Sequence, residues 1–577
     1  MLQIASGKFF RPGVPLHESE HRFTVYSNAW LVGENPITLP LGEITPSTDV
    51  RAVSSAMITV TDRLEAQRPD GTDEFMFATR GTDLVDDVAY VLTFVLNRTV
   101  GRDHDQVHRL VSGDGASRRR SANDLFPGLF EPQQAVQPEE WRSVRDFMQD
   151  LIGLSRDDFV RVIRAIRRVV DATRRALDDP TGAYTDMVAA LESISSSSLA
   201  PAASWDRYDG SKRKIIDAAL VDTDEATADR VRAAVLEAER TGLKRRFVSS
   251  TLARLSPEYY RSEAIGTVRP PRAPDMERML SVAYDVRSRR SHVLEDLGEG
   301  VWVFTDGAET AYEPNFERVL TLAGLWRLTR HVVRRYVSDA ETVPAEPWDY
   351  RQALPGIVEM QLAPQYWIWQ PGGLTEENAT QRLDGFAEAL IGWFAGDHTD
   401  GFPMGDVCRE IQGLVPGLAA GEAKTALIAT HALWHSCVDP KEHPADAAAF
   451  LEAFGPVLNQ PSPSSFTFWL LGKQATPPWN ADELAAMAQA RTEARRRKDH
   501  APLPPAIDAL IQLETADRLE ADGRHAEAVA FAANAVSEVP GNEMLIEWER
   551  RLVAGDHDPD FDVNAFLLGG RDKHADA

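Results

Sequence analysis

Two residues of this sequence, Arg287 and His292, have the types and spacing that suit acid–base chemistry beside a negative charge. A histidine transfers protons near neutral pH because its unperturbed pKa is about 6.5. An arginine keeps its positive charge under physiological conditions and can stabilise negative charge that develops during a reaction. This pair is therefore the starting point for predicting a functional site.

The segment that carries the pair is predicted to be an α-helix. Asp275 can cap its first turn. One apolar stripe then repeats at spacings of four and three residues, through Met276, Leu280 and Ala283. Arg287 takes the next position on this stripe, where a charge that cannot be removed by deprotonation needs a partner or a functional role.

The spacing of five residues limits how Arg287 and His292 can cooperate. At about 100° per residue, their side chains point about 140° apart around a straight helix, so they cannot lie side by side. For both side chains to reach the same substrate group, either the helix would have to end near them or a second copy of the chain would have to supply one of them.

The surrounding sequence predicts a multidomain α+β protein that is mainly α. Alternating apolar stretches and turn sequences in the first 110 or so residues predict strands and hairpins, and residues 112–140 predict a linker or exposed loop. Amphipathic periodicity from Ser155 onwards predicts a bundle of five helices, the last being NFERVLTLAGLWRLTRHVVRRYV. We expect a β-containing sensor or accessory domain with a linker at 1–140, the bundle at 141–340 and a further helical domain at 341–577.

Within the predicted bundle, YDVRSRRSH resembles the Arg-polar-x-x-x-His motif of the HEPN superfamily, in its Apea-like ribonuclease type. Tyr284, Arg287, Ser288 and His292 carry the resemblance, and a long helix follows them as it does in that family. Ser288 stands where the family frequently has an acidic or amide residue. Upstream, Glu192 in AALES is similar to the acidic residue of an early HEPN helix, and this likeness makes it the candidate ion-pair partner of Arg287.

The resemblance implies a metal-independent ribonuclease without a cofactor, in which two bundles dimerise and form one composite site. His292 would transfer a proton of the RNA 2′-hydroxyl or the leaving 5′-oxygen, Arg287 would stabilise the charge of the transition state, and Ser288 would orient either group. Weaker candidates for RNA binding are Arg161, Arg164, Arg168, Arg289 and Arg290. The arginines on the helix over 161–175 are also consistent with an ordinary solvated face.

Composition limits where RNA could bind and where the protein works. The chain of 577 residues has 62 basic and 88 acidic residues, and its net charge of -26 repels a nucleic-acid backbone over the surface as a whole. Any RNA site must therefore be local. Only Cys408 and Cys437 are present, and we find neither a secretory signal nor a membrane-spanning run. We expect a soluble protein of the reducing cytoplasm with no membrane contact.

Residues 505–552, near the carboxyl end, resemble a tetratricopeptide repeat. Gly523, Ala528, Ala535 and Pro540 follow the helix-turn-helix spacing of that family. Because such repeats bury their faces only against stacked neighbours, the helices from about residue 380 onwards are candidates for degenerate repeats.

Two signals for metal binding are weak. His431 and His435 share a helix face near His443, but no glutamate follows the first histidine, and ordinary packing is the simpler interpretation. The acidic run over 556–562 resembles the start of a calcium loop, yet Phe561 stands where the sharp turn needs Gly. We therefore expect no metal site. The sequence also has neither a phosphate-binding P-loop nor a Gly-x-Ser-x-Gly elbow.

The sequence thus favours a HEPN endoribonuclease, which by analogy with the superfamily would be an antiviral, abortive-infection effector. RNA is expected as the substrate, a homodimer or a higher oligomer as the assembly, and a protein partner or other trigger as the activator. The alternative is a non-catalytic scaffold in which Arg287 is merely ion-paired to Glu192 and His292 is a surface residue. The strong acidity of the chain favours this alternative.

Overall fold

The structure, a computed structural model, describes residues 1–569 apart from short gaps. The gaps are 32–34, 48–51, 77, 113–120, 133, 196–204, 206–209, 222, 239–242, 304, 314–315, 356, 358–361, 397–400, 474, 498–501 and 558–559. The chain divides into two compact units, Met1–Val358 and Glu359–Ala577. It is mainly helical and has a small antiparallel sheet near its amino end, as the sequence predicts.

The described strands belong to the first unit. They are β1 Leu16–Ser27, β2 Ala29–Leu31, β3 Ile37–Leu39, β4 Gly42–Pro46, β5 Ser54–Glu65, β6 Val100–Gly101, β7 Gln134–Val136, β8 Thr310–Glu313 and β9 Phe316–Leu320. An antiparallel sheet has the order β3-β4-β5-β1-β6, while β2 pairs with β7 and β8 pairs with β9. Alternation along β5 turns Ala56, Ile58 and Val60 into the core, as the period of two predicts.

The helices of the first unit share a core with this sheet and form the bundle. They are α1 Leu2–Ala5, α2 Thr82–Leu96, α3 His104–Ser112, α4 Ala122–Leu125, α5 Pro138–Gly153, α6 Arg156–Arg175, α7 Pro180–Ser195, α8 Gly210–Ala219, α9 Glu225–Ala238, α10 Leu243–Ala253, α11 Ala273–Val293 and α12 Leu322–Asp339. α6 begins where Ser155 accepts a hydrogen bond from the Asp158 amide, and it buries the apolar stripe that its sequence predicts.

The predicted start of the last bundle helix is wrong. Residues Phe316–Leu320 form β9 and pair with β8. α12 begins only at Leu322, because the Thr321 hydroxyl accepts a hydrogen bond from the Gly324 amide and caps the helix there.

The prediction of a linker or exposed loop over residues 112–140 is also wrong in part. Ser121 and Asp124 close a capping box at α4, and the side chains that follow are packed into the core. Leu125, Phe126, Leu129 and Phe130 are each at most 2% exposed. These residues therefore pack apolar side chains into the core and do not form an exposed loop, although the sequence around them is rich in turn formers.

One hydrophobic core serves both the sheet and the helices of the first unit. It contains Ile58 of β5, Leu92 of α2, Ile166 of α6 and Leu325 of α12, all of them fully buried. The boundary predicted near residue 140 therefore lies inside one compact unit.

The second unit is helical in its described residues. Its helices are α13 Ala379–Phe394, α14 Gly405–Leu414, α15 Glu422–Cys437, α16 Ala447–Phe454, α17 Pro463–Phe468, α18 Ala481–Arg496, α19 Pro505–Ala521, α20 His525–Glu538, α21 Glu543–Val553 and α22 Val563–Gly569. α19 and α20 pack together around a tight turn at Gly523, whose φ is 76°. This helix pair lies where the repeat resemblance is found, although the repeat family itself stays a prediction.

Within the described ranges, no helix combines the length and the apolar character that crossing a bilayer would need.

A buried ion pair between α12 and the β8 strand region offers a test of this packing. Arg327 Nε and Nη2 lie 2.5 and 2.7 Å from the two carboxylate oxygens of Glu309, and both side chains are largely buried. Arg327→Met leaves the Glu309 charge unpaired, so we expect it to cost about 3 kcal/mol of stability in urea unfolding followed by tryptophan fluorescence. Arg335→Ala, which breaks the exposed pair with Asp339, is the control and should cost less than about 1 kcal/mol. Equal losses in the two variants would contradict this account.

Candidate functional site

α11 carries the predicted motif from the core of the first unit towards its surface. It packs against α7, α10 and β9. Met276, Met279, Leu280 and Ala283 are fully buried, whereas Tyr284 and Arg287 are half-buried and His292 is exposed. The motif therefore occupies the part of the helix that emerges into solvent.

Arg287 forms an ion pair with Glu192 of α7, the partner named from the sequence. Arg287 Nη2 and Glu192 Oε2 are 3.1 Å apart, with the side chains 31% and 17% exposed. This ion pair explains how an arginine can occupy a position of the apolar stripe, because the carboxylate compensates a charge that would be costly to bury alone. The guanidinium nevertheless keeps a face towards solvent.

Tyr284 joins the pair one helical turn before Arg287. Its hydroxyl hydrogen-bonds to Glu192, and its ring lies 5.6 Å from that of Phe247 on α10, between centroids. Burial and then the charge of Glu192 raise the pKa of Tyr284, so the phenol stays protonated and donates to the carboxylate. Lys244 binds Asp285 at 2.7 Å and ties α10 to the same helix. Arg287 is thus held by a small network.

His292 is not part of this network. It lies in the last turn of α11, which ends at Val293 and is followed by Leu294 at a φ of 56°. Nothing hydrogen-bonds to its ring in the part of the chain that the structure describes. Since α11 is continuous from Arg287 to His292, the two side chains remain about 140° apart around it. Ser288, the motif's polar residue, is half-buried.

The two arginines between Arg287 and His292 hold the end of α11. Arg289 Nε lies 3.0 Å from Glu295, and Arg290 Nη1 lies 2.9 Å from Asp296. Both were weak candidates for RNA binding, and both are engaged in folding the following segment back onto the helix.

One arginine of α6 joins two helices of the bundle, whereas other arginines of α6 line a groove. Arg161 binds Asp158 at 2.5 Å and the Tyr336 hydroxyl at 2.9 Å, so it ties α6 to α12. A groove of about 510 Å³ runs between α6 and α7. Its charged lining residues are Arg164, Arg167, Arg168, Arg175, Asp171 and Asp186.

Arg164 is the groove arginine that stands out. It is exposed, and it has no ion-pair partner among the described residues, whereas Arg168 lies 2.9 Å from Asp186. Arg167 and Arg175 also line the groove, although the sequence did not mark them as candidates for RNA binding. They are about two helical turns apart, and this spacing could have indicated that they share one face of α6. Ser193 lines the groove next to Glu192, so α7 separates the groove from the Arg287 network.

The histidines near the end of α15 are arranged for packing. His431 is fully buried against Phe450, and burial, followed by the nearby His435 and His443, lowers its pKa to about 4. The rings of His435 and His443 stack on each other 3.7 Å apart. Within the described ranges, the three metal-ligand side chains whose donor atoms converge are instead Glu520, His525 and His557, which the sequence analysis did not single out.

The buried His431 makes the second unit sensitive to acid. Its folded pKa of about 4 lies below the unfolded value of about 6.5, so the unfolded chain binds the additional proton as the pH falls. The stabilising effect is complete above pH 6.5 and is lost on the way down to pH 4. We expect His431→Leu to reduce the loss of unfolding free energy between pH 7 and pH 5 by about 2 kcal/mol.

Urea unfolding at the two pH values measures this difference. Leu433→Ala, at a buried apolar position of the same helix, is the control and should lower the unfolding free energy at both pH values without changing the difference between them. An unchanged pH dependence in His431→Leu would contradict the assignment.

Comparisons with known proteins return no relative. No protein-family model matches the chain, no curated protein matches it, and no solved structure matches it. What the site does must therefore be inferred from its own residues.

Proposed function

We propose that the chain is a HEPN-type endoribonuclease that cleaves RNA with Arg287 and His292 and without a metal ion. The observation that carries the proposal is the network at the emerging end of α11. Glu192 and Tyr284 hold the Arg287 guanidinium half-exposed, and His292 stands exposed on the same helix end.

The chemistry follows from the two side chains. The RNA 2′-oxygen attacks the adjacent phosphorus as the bond to the 5′-oxygen breaks, and the 2′-hydroxyl proton must leave while the 5′-oxygen must gain one. A solvent-accessible imidazole can accept or donate that proton near neutral pH. A guanidinium stabilises the additional negative charge on the phosphorane-like transition state. Glu192 and Tyr284 are positioning residues, because they touch Arg287 rather than the substrate.

The proposed active form is a homodimer. Arg287 and His292 of one chain point in different directions, so a shared phosphate needs the histidine of one copy and the arginine of the other. Val293 and Leu294 are largely exposed directly beside His292. Exposed apolar side chains at the end of the motif helix are what a second copy would cover.

RNA would approach along the groove between α6 and α7. Its lining has four arginines against two aspartates, but Arg167 binds the buried Asp87, and Arg168 and Arg175 share Asp186. The positive excess is therefore centred on Arg164. The unpaired Arg164 is the side chain best placed to meet a phosphate there. Arg161, Arg289 and Arg290 are engaged in ion pairs and are weaker candidates than the sequence suggested.

The biological role in this proposal is that of a cytoplasmic antiviral effector that causes abortive infection. The sheet-containing part of the first unit would sense a trigger, and the helical second unit would bind a protein partner or support a higher oligomer. This role rests on the resemblance to the superfamily.

The second candidate is a non-catalytic scaffold. The observation that favours it is that Arg287 already has a carboxylate partner, while the exposed His292 side chain makes no hydrogen bond or ion pair with the described part of the chain. In that case the Arg287–Glu192 pair only joins α7 to α11.

An RNA cleavage assay separates the two candidates. The full chain is incubated with total RNA and transfer RNA in the presence of a chelator, and also expressed in bacterial cells during phage infection, where a trigger would be present. We expect Arg287→Ala and His292→Ala each to lower cleavage at least about 100-fold, since each removes a group that acts in the transition state. Arg335→Ala and His104→Ala, at exposed positions outside the motif, are the controls. Cleavage that is unchanged in the motif variants refutes the site, and no cleavage in either setting favours the scaffold.

Mixing the two inactive variants tests the composite site. In a mixed dimer, the Arg287→Ala chain still supplies His292 and the His292→Ala chain still supplies Arg287. We expect the mixture to regain cleavage that neither variant shows alone. If each variant is a dimer that exchanges subunits and the mixture stays inactive, the two residues do not act across an interface.

A further inference from the structure

Three side chains from separate elements of the second unit meet at one point. Glu520 lies in the last turn of α19, His525 is the first residue of α20, and His557 follows α21. His525 Nδ1 lies 2.8 Å from one carboxylate oxygen of Glu520, and His557 Nδ1 hydrogen-bonds to the other. One donor atom from each of the three residues lies within 4.8 Å of the other two.

The carboxylate of Glu520 is buried without a fixed positive charge. Its side chain is 4% exposed, and in the described part of the chain its hydrogen-bond partners are the two imidazoles. Arg524 is close in sequence, but it binds Glu527 at 2.7 Å and also Asp482. Because a buried carboxylate is costly without compensation, either protons on the imidazoles or a bound cation must balance it.

The local backbone is built to bring the three residues together. The tight turn at Gly523, with its φ of 76°, returns the chain so that His525 faces the end of α19. Arg551, in the last turn of α21, donates two hydrogen bonds of 2.9 and 2.6 Å to Asp556, which follows the helix. That closed loop places His557 against Glu520, although the two are 37 residues apart.

We propose that Glu520, His525 and His557 form a binding site for a divalent first-row transition metal ion such as Zn²⁺. Two imidazole nitrogens and one carboxylate oxygen are a ligand set that such ions accept, whereas Mg²⁺ and Ca²⁺ prefer oxygen ligands throughout. Ligand atoms around a tetrahedral Zn²⁺ are about 3.3 Å apart, so small side-chain movements suffice. His557 is 76% exposed, which leaves the remaining coordination positions to water.

An ion at this site would link the segment after α21 to the turn between α19 and α20 through its coordination bonds. The repeat-like helix pair would then gain a link that its apolar packing does not supply. The site is independent of the proposed nuclease function, because all three ligands belong to the second unit and the Arg287 network to the first.

Titration of the purified full chain with Co²⁺ and Zn²⁺ tests the proposal. We expect one ion per chain, a visible Co²⁺ absorption band, and affinity that falls as the solution is acidified, because protons compete with the ion for the imidazole nitrogens. An excess of Mg²⁺ should not displace the ion. His557→Ala should weaken binding at least about tenfold, and its exposed position makes misfolding a minor concern.

A second variant and a matched control complete the test. Glu520→Gln removes the carboxylate charge and should also weaken binding at least about tenfold. The double variant His435→Ala/His443→Ala removes the other adjacent histidine pair of the same unit and should bind as the wild type does. Circular dichroism establishes that each variant is folded. Absence of binding to the wild type at millimolar ion, or binding unchanged in His557→Ala and Glu520→Gln, overturns the site and leaves the protonated imidazoles as the charge that balances Glu520.

Discussion

The carboxyl end of α2 is the point on which the first unit depends, because its last carbonyl groups are placed in the interior. Such groups have no partner within their own helix, and leaving them unpaired away from water is costly. Arg330 of α12 donates to the carbonyls of Phe94 and Val95 at 2.8 and 2.9 Å, and Arg334 donates to that of Val95 at 2.5 Å. These bonds join the helix behind the sheet to the last helix of the bundle. α12 in turn packs against α7, which carries Glu192, so the position of the motif network follows from this junction.

Local periodicity was enough to predict the elements that carry the network, but not those whose form depends on distant contacts. The stripe that ends at Arg287 predicted both a helix and the need for a partner, and the structure supplies that partner in Glu192. FERVL also fits a helix by its pattern, yet pairing with β8 makes it a strand. The metal-ligand cluster could not be predicted, because His557 meets Glu520 only through the loop that Arg551 closes.

Pairing, rather than the number of arginines, decides how much of the basic surface could serve RNA. Carboxylates neutralise Arg161, Arg168, Arg289 and Arg290 within the fold, in keeping with the excess of acidic residues. The pairs of Arg289 and Arg290, whose carboxylates are more than half exposed, contribute little to stability and exchange readily, so a phosphate can compete for these two arginines. Nucleic-acid binding by such a surface would be weak and strongly dependent on salt until a second copy or a partner adds to it. The assembly that we propose would therefore compensate for the charge distribution as well as for the helix geometry.

The two candidate sites differ in the group that compensates a largely buried carboxylate, and because of this difference a chelator can distinguish them. At Glu192 the compensating charge is a guanidinium that is permanently protonated, so the ion pair needs no metal and is insensitive to a chelator. At Glu520 the neighbours are imidazoles, whose charge depends on pH and which can exchange their protons for a metal ion. A chelator would thus remove an ion from the second unit while leaving the chemistry proposed for Arg287 and His292 intact. If a chelator nevertheless abolished RNA cleavage, the metal-independent mechanism proposed for Arg287 and His292 would be wrong.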